Sequence, residues 1–179
     1  IKLDKVYVGS EGNTSAKVGD VVTFKGDYLN LMHQVVFADD VRVDEKDFKS
    51  HDRYTITVAI PKEAKTGRPM LSDTNPDGEN LLYAEEALTI ALPTATGVAP
   101  ATVKAGATIT VSGTDLNLIE KVNLAGATVE EGIKAAADNK SLTFALPVTA
   151  TDGEVTLVTY SGVSIPAGSI ETVVPTNLS

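Results

Sequence analysis

Residues Lys17 to Asp39 read KVGDVVTFKGDYLNLMHQVVFAD, and residues Lys104 to Gly126 read KAGATITVSGTDLNLIEKVNLAG. The two stretches align without a gap, and nine of their 23 positions are identical: Lys17/Lys104, Gly19/Gly106, Thr23/Thr110, Gly26/Gly113, Leu29/Leu116, Asn30/Asn117, Leu31/Leu118, Val35/Val122 and Ala38/Ala125. Most other positions keep their polarity, as in Val22/Ile109, Phe24/Val111 and Phe37/Leu124. A shared period of this length means a duplicated unit. The offset of 87 residues gives each copy nearly the size of an immunoglobulin-like sandwich, about 100 residues. The expected organisation is all-β, with one sandwich over residues 1–92 and a second over 93–179.

Outward from the repeat, the period-2 pattern continues. Val22 and Phe24 point one way and Thr23 the other, Gly26 ends that strand, and Leu29 to Met32 makes a crossing turn before the strand Gln34 to Phe37. Within the repeat, Val22, Phe24, Leu29, Leu31, Val35 and Phe37 are the expected core. Val41 to Val43 reads as a short edge strand, and the charged run 44–53 as a solvated loop with at most one helical turn. Tyr54, Ile56, Val58 and Ile60 alternate with Thr55, Thr57 and Ala59 until Pro61 stops the ladder. Arg68 to Asp73 follows as a strand, where Pro69 predicts a place near a sheet edge. Asn75-Pro76-Asp77-Gly78 has turn chemistry, with Gly78 expected in the left-handed position. Leu81 to Leu92 supplies the last strand, interrupted by Glu85-Glu86.

The second copy repeats this order. Ser141 to Pro147 matches Thr55 to Pro61 one residue early, Ala150 and Gly153 match Ala64 and Gly67, and Leu157 matches Leu71. A short helix is one reading of residues 131–138 (EGIKAAAD), against which the glycines and valines nearby weigh. Val174-Pro175-Thr176 matches Leu92-Pro93-Thr94, as though a third unit opened there. The link between copies is only Thr94 to Gly97, so the sandwiches are expected end to end with restricted bending.

The order of these elements resembles the IPT/TIG family of immunoglobulin-like domains. The likeness is carried by Gly19 to Leu29, Val35 to Phe37, Ile56 to Pro61 and Thr66-Gly67. In the second copy it is carried by Gly106 to Leu116, Val122 to Gly126, Leu142 to Pro147 and Gly153. One departure is Ala38-Asp39, where such domains often place glycine after the strand; Ala125-Gly126 keeps it. The resemblance implies a bacterial cell-surface protein, of the kind found in glycan-handling systems of Bacteroidetes type and anchored to the outer membrane through sequence outside this segment. In those proteins such domains act as non-catalytic spacers or interaction modules. Partners implied are a polysaccharide or another surface protein, with the chain itself a monomer.

Charge and composition narrow the field independently. Net charge is −9, with 11 basic and 16 acidic side chains in residues 1–92 and 4 and 8 in residues 93–179. No Lys/Arg cluster offsets this, which argues against a nucleic-acid backbone and an anionic membrane surface. No apolar run approaches the roughly 20 residues of a membrane span. Cysteine is absent, so thiolate metal sites and a cysteine nucleophile are excluded. His33 and His51 lack metal-ligand spacing. Asp39-Asp40, adjacent on a strand end, point to opposite faces, not into one cleft. No cofactor and no catalytic motif is expected.

Two candidate sites remain. Seven of nine aromatics fall in the first copy, and Tyr28, Tyr54 and Tyr83 are the candidate platforms for a sugar ring. The loop from Asp73 places oxygen ligands at Asp73, Asn75 and Asp77, as a calcium loop does, although Glu85 lies one residue past the closing position. A hairpin turn is the competing reading of that loop, and Pro76 favours it.

Overall fold

The computed structural model describes residues 1–173; the match at Val174-Pro175-Thr176 lies outside the described residues. The chain divides into two compact units, Ile1–Ala91 and Leu92–Ser179. Every long element is a strand, as the β-branched, period-2 sequence requires.

Unit 1 contains β1 (Lys2–Val8), β2 (Ser15–Ala16), β3 (Val21–Asp27), β4 (Gln34–Ala38), β5 (Val41–Asp44), β6 (Ser50–His51), β7 (Thr55–Ala59), β8 (Lys65–Ser72), β9 (Leu81–Tyr83) and β10 (Thr89–Ile90). They form sheets ordered β1-β3-β7-β6 and β5-β4-β8-β9, with a small parallel pair β10-β2. Phe24, Val22, Ile56 and Val58 from the first sheet meet Val35, Phe37 and Leu71 from the second in one dry cluster. Unit 2 contains β11 (Thr94–Ala99), β12 (Thr102–Lys104), β13 (Thr108–Thr114), β14 (Ile119–Leu124), β15 (Ala127–Val129), β16 (Lys134–Ala135), β17 (Ser141–Ala145), β18 (Gly153–Thr159) and β19 (Ser164–Val173). Its sheets are β11-β13-β17-β16 and β12-β19-β18-β14-β15, closed over Ile109, Val111, Leu142 and Phe144 on one side and Val122, Val155 and Leu157 on the other. Each unit is a two-sheet sandwich of immunoglobulin-like order.

The repeated glycines have a shared mechanical reason. Gly26 lies opposite the irregular pairing between Leu3 and Lys5, and Gly113 opposite the one between Ala95 and Gly97. A methyl group on either would collide with a backbone carbonyl, that of Lys2 or that of Thr94. Gly67 and Gly153 form a second repeated pair. A Cβ there would stand 2.5 Å from Ala38 Cβ and 2.8 Å from Ala125 Cβ, which explains why Ala38/Ala125 is kept small.

Several local expectations are corrected. Pro69 sits in β8, an inner strand between β4 and β9. It is tolerated because it lies between the Met70↔Tyr83 and Gly67↔Leu88 pairings, opposite the interrupted stretch of the last strand, where no ladder donor is required of it; its carbonyl accepts from Ala84 N at 3.0 Å on that side. Residues 131–138 form no helix: Gly132 turns the chain at φ 76, and Lys134–Ala135 pairs with β17. Leu31 is 47 % exposed and leaves its core place to Met32, which is buried. The 3-10 turn Leu29–Leu31 rotates Leu29 inward and Leu31 outward, so period-2 reasoning fails across it. The charged run 44–53 holds one such turn, Glu45–Asp47, and also strand β6.

Candidate functional site

The two copies serve as internal controls for one another, so residues can be sorted into those the fold requires and those it does not. The end of β3 shows this most clearly. In unit 1, Gly26 N donates to Tyr54 O (3.1 Å), Leu29 N to Arg53 O (2.8 Å) and Leu31 N to Tyr28 O (3.1 Å). In unit 2, Gly113 N donates to Lys140 O (2.9 Å), Leu116 N to Asn139 O (2.9 Å) and Leu118 N to Asp115 O (3.1 Å). The backbone is therefore repeated bond for bond. The side chains on it are not, for Tyr28, Arg53 and Tyr54 stand where unit 2 has Asp115, Asn139 and Lys140.

Tyr28 precedes the 3-10 turn at φ 59, ψ 30, and Asp115 at φ 54, ψ 35. Aspartate is at home in this left-handed region, whereas a bulky aromatic there is unusual and strained. Its backbone N–H donates to Asp27 Oδ1 at 2.9 Å, and Arg53 Nε donates to the same oxygen at 2.8 Å. The Arg53 guanidinium lies 4.1 Å from the Tyr28 ring centroid and 5.2 Å from that of Tyr54. Asp52 Oδ1 accepts from the N–H groups of Tyr54 and Thr55, both at 2.8 Å, and so shapes the β6–β7 loop. The hydrogen bond from Arg53 holds the Asp27 carboxyl below its ordinary range, and Asp27 in turn raises Arg53. Tyr28 is 44 % and Tyr54 56 % exposed, so the cluster presents two aromatic rings to solvent around one anchored guanidinium.

The structure thus brings together two of the three candidate tyrosines. Tyr83, also exposed at 55 %, lies on β9 in the other sheet, where Arg68 is 5.8 Å from its ring centroid. Arg53 was not singled out by sequence reasoning. Its signal was available: it aligns with Asn139 between flanking residues that keep the fold, and it sits one residue before Tyr54.

The Asp73 loop uses its oxygens internally. Asp73 Oδ1 accepts from Asn75 N (3.1 Å) and Asn80 N (2.9 Å), and Oδ2 from Asn80 Nδ2 (2.7 Å). Asn75 Oδ1 accepts from Asp77 N at 3.0 Å, and Gly78 N donates to Asn75 O at 3.2 Å to close the turn. These bonds, led by the one from the Asn80 side chain, lower the Asp73 carboxyl. Thr74, at φ 55, takes the left-handed position expected of Gly78. Among the described residues no group of three or more His, Asp or Glu side chains is arranged to hold a metal ion. The two histidines do converge on one carboxylate, with His33 Nδ1 at 2.7 Å and His51 Nδ1 at 3.7 Å from Glu45 Oε2.

The break in the last strand of unit 1 has a countable cause. Gly67 pairs with Leu88 as Gly153 pairs with Ile170, and Met70 pairs with Tyr83 as Thr156 pairs with Pro166. Between those fixed points unit 1 has Ala84, Glu85, Glu86 and Ala87, but unit 2 only Ala167, Gly168 and Ser169. The extra residue pushes Glu85-Glu86 off the ladder and leaves a cavity of about 270 Å³ against β1, with Asp4, Glu11, Glu85 and Glu86 in its wall. That volume is below the roughly 300–1,000 Å³ of ordinary ligand pockets.

No family model matches the chain, and no curated protein does. Among solved structures, the chain is similar to SGBP-B from a complex xyloglucan utilization locus in Bacteroides uniformis (16 % identity, 96 % of this chain and 49 % of that one, TM-score 0.43). It is likewise similar to a surface glycan-binding protein from Prevotella bryantii (18 % identity, 93 % and 41 % covered, TM-score 0.45) and to the extracellular region of plexin A4 (12 % identity, 96 % and 15 % covered, TM-score 0.44). The chain spans less than half the length of each of these proteins.

Proposed function

We propose that the chain is a non-catalytic part of a bacterial cell-surface protein that handles glycans, built of IPT/TIG-like sandwiches and acting as spacer and interaction module. One observation carries this reading. The same backbone bonds recur in both copies, and in unit 1 they carry an exposed cluster, Tyr28, Arg53 and Tyr54, that unit 2 lacks. Unit 2, with Asp115, Asn139 and Lys140 in those places, is the plainer spacer; unit 1 offers the contact face. The glycan context is what the family resemblance implies, and the bacterial proteins that the chain resembles include a surface glycan-binding protein and an SGBP-B from a xyloglucan utilization locus. Protease shaving of intact cells expressing the full-length protein tests the placement. Release of peptides from both units is the expected result, and complete protection until lysis would overturn it.

A second reading, direct binding of a polysaccharide, is favoured by the paired exposure of Tyr28 and Tyr54. Titration of the isolated chain with a polysaccharide panel separates the two, since a pure spacer retains none of them.

A further inference from the structure

We propose that Tyr28, Arg53 and Tyr54 form a subsite for one hexopyranose residue of an uncharged polysaccharide. This rests on the surface-module reading above and narrows its ligand.

The cluster is built in advance. Tyr28 is held in a left-handed conformation that its counterpart Asp115 tolerates with less strain, and such strain persists where the surrounding structure over-determines it. Asp27 fixes both the Tyr28 backbone and Arg53 Nε, while Asp52 fixes the backbone that carries Tyr54. The backbone that carries each exposed ring is therefore fixed in advance, which lowers the ordering cost of a ligand.

The chemistry selects the ligand class. Tyrosine rings offer apolar faces with a polar rim, the complement of a sugar ring whose C–H face is apolar and whose edge carries hydroxyls. Arg53 supplies the polar contact. Its Nε is committed to Asp27, and its two terminal amino groups make no hydrogen bond within the described residues. These are donors in a planar fork, spaced for two neighbouring oxygens. A cationic ligand is repelled by that guanidinium. An anionic one meets the carboxylates of Asp27 and Asp52 on the same loops and a chain of net charge −9. A neutral polyol meets neither penalty. Tyr83 is on the other sheet and outside this subsite.

The test uses variants that unit 2 shows to be compatible with the fold, Arg53→Asn and Tyr54→Lys, each compared with the unaltered chain by calorimetric titration and by retardation in polysaccharide-containing gels. The probes are hydroxyethyl cellulose, galactomannan and polygalacturonate. The inference expects retention by a neutral polymer, an affinity unchanged between low and high salt, and a loss of about tenfold, or about 1.4 kcal/mol, in either variant. The same variants leave the circular dichroism spectrum in place and unit 1 folded, its amide spectrum unchanged away from the cluster. Binding of polygalacturonate alone, weakening with salt, would overturn the ligand class. Binding that both variants retain would overturn the site. Retention of no polymer would overturn the inference and leave the module reading to the shaving experiment.

Discussion

Replacing Gly26 by alanine puts a methyl group onto the Lys2 carbonyl, a backbone atom that no rotamer change can move aside. The backbone of Gly26 is outside the positive-φ set, so the penalty is one of space alone. The cheapest relief is for the start of β1 to lift away, which gives up the Lys2↔Asp27 and Leu3↔Gly26 pairings and exposes Leu3, now partly buried against the core. Two lost ladder positions at about 0.5–1.5 kcal/mol each cost roughly 1–3 kcal/mol. Reduced freedom of the unfolded chain returns about 0.4–1 kcal/mol, leaving a net loss of up to about 2.5 kcal/mol, to which the exposure of Leu3 adds. Gly113→Ala repeats the experiment in unit 2. There the Thr94 carbonyl is struck, Ala95 has less surface to expose than Leu3, and the Thr94–Thr114 hydroxyl contact of 2.6 Å is lost as well. Gly78→Ala and Gly97→Ala are the controls, because a Cβ at either meets nothing within 4 Å. Urea unfolding followed by amide NMR reads each unit separately, and hydrogen exchange reports residues 2–4 and 94–96. Loss of protection confined to those residues, with a midpoint shift only in the altered unit, is expected. If Gly26→Ala and Gly78→Ala proved equal in stability, with β1 still protected, the close-approach account of the repeated glycine would be wrong.

Tyr28→Asn and Tyr28→Ala both remove the stack on Arg53, but asparagine tolerates the left-handed backbone. The asparagine variant should therefore be the more stable by part of the ~1–2 kcal/mol that this region costs an L-residue, as thermal unfolding would show. Phe24→Ala should cost about 3–5 kcal/mol and Leu29→Ala about 2–5 kcal/mol, whereas Leu31→Ala, at an exposed site, should stay within about 0.5 kcal/mol; denaturant titration ranks the three. Acid should weaken unit 1 more than unit 2. Asp27, Asp39 and Glu79 are lowered chiefly by hydrogen bonds from Arg53, Lys65 and Arg42, and Asp73 chiefly by Asn80, while in unit 2 Asp152 is lowered by the Thr172 backbone N–H. Because these folded-state values are depressed, the stabilisation is complete above the ordinary values of 4.5 for glutamate and 3.8 for aspartate. It is lost as pH falls through that window and below it. Equal loss in the two units, measured by urea midpoints across that range, would contradict the assignment.

The amino-acid sequence by itself determined the duplication, the all-β class and most of the core, because a strand's burial is written in its period of two and a copied unit preserves that period. Val22, Phe24, Val35, Phe37, Ile56 and Val58 are all buried as their alternation requires. The same alternation failed at Leu31, where a 3-10 turn changes the period within three residues; the edge place expected from Pro69 failed because that residue lies opposite the interrupted stretch of the last strand. Interruption of the last strand at Glu85-Glu86 was legible as well, but its cause, one residue more than the second copy between two fixed pairings, required the register. The candidate site divides the same way. Composition pointed to exposed tyrosines in the first copy. Only the tertiary structure joined Tyr28 to Tyr54, set Tyr83 apart on the other sheet and inserted Arg53 between the first two. The physical reason is that Tyr28 and Arg53 are 25 residues apart in the chain and meet through the backbone bond from Leu29 N to Arg53 O, a contact of the folded sandwich that no local pattern encodes.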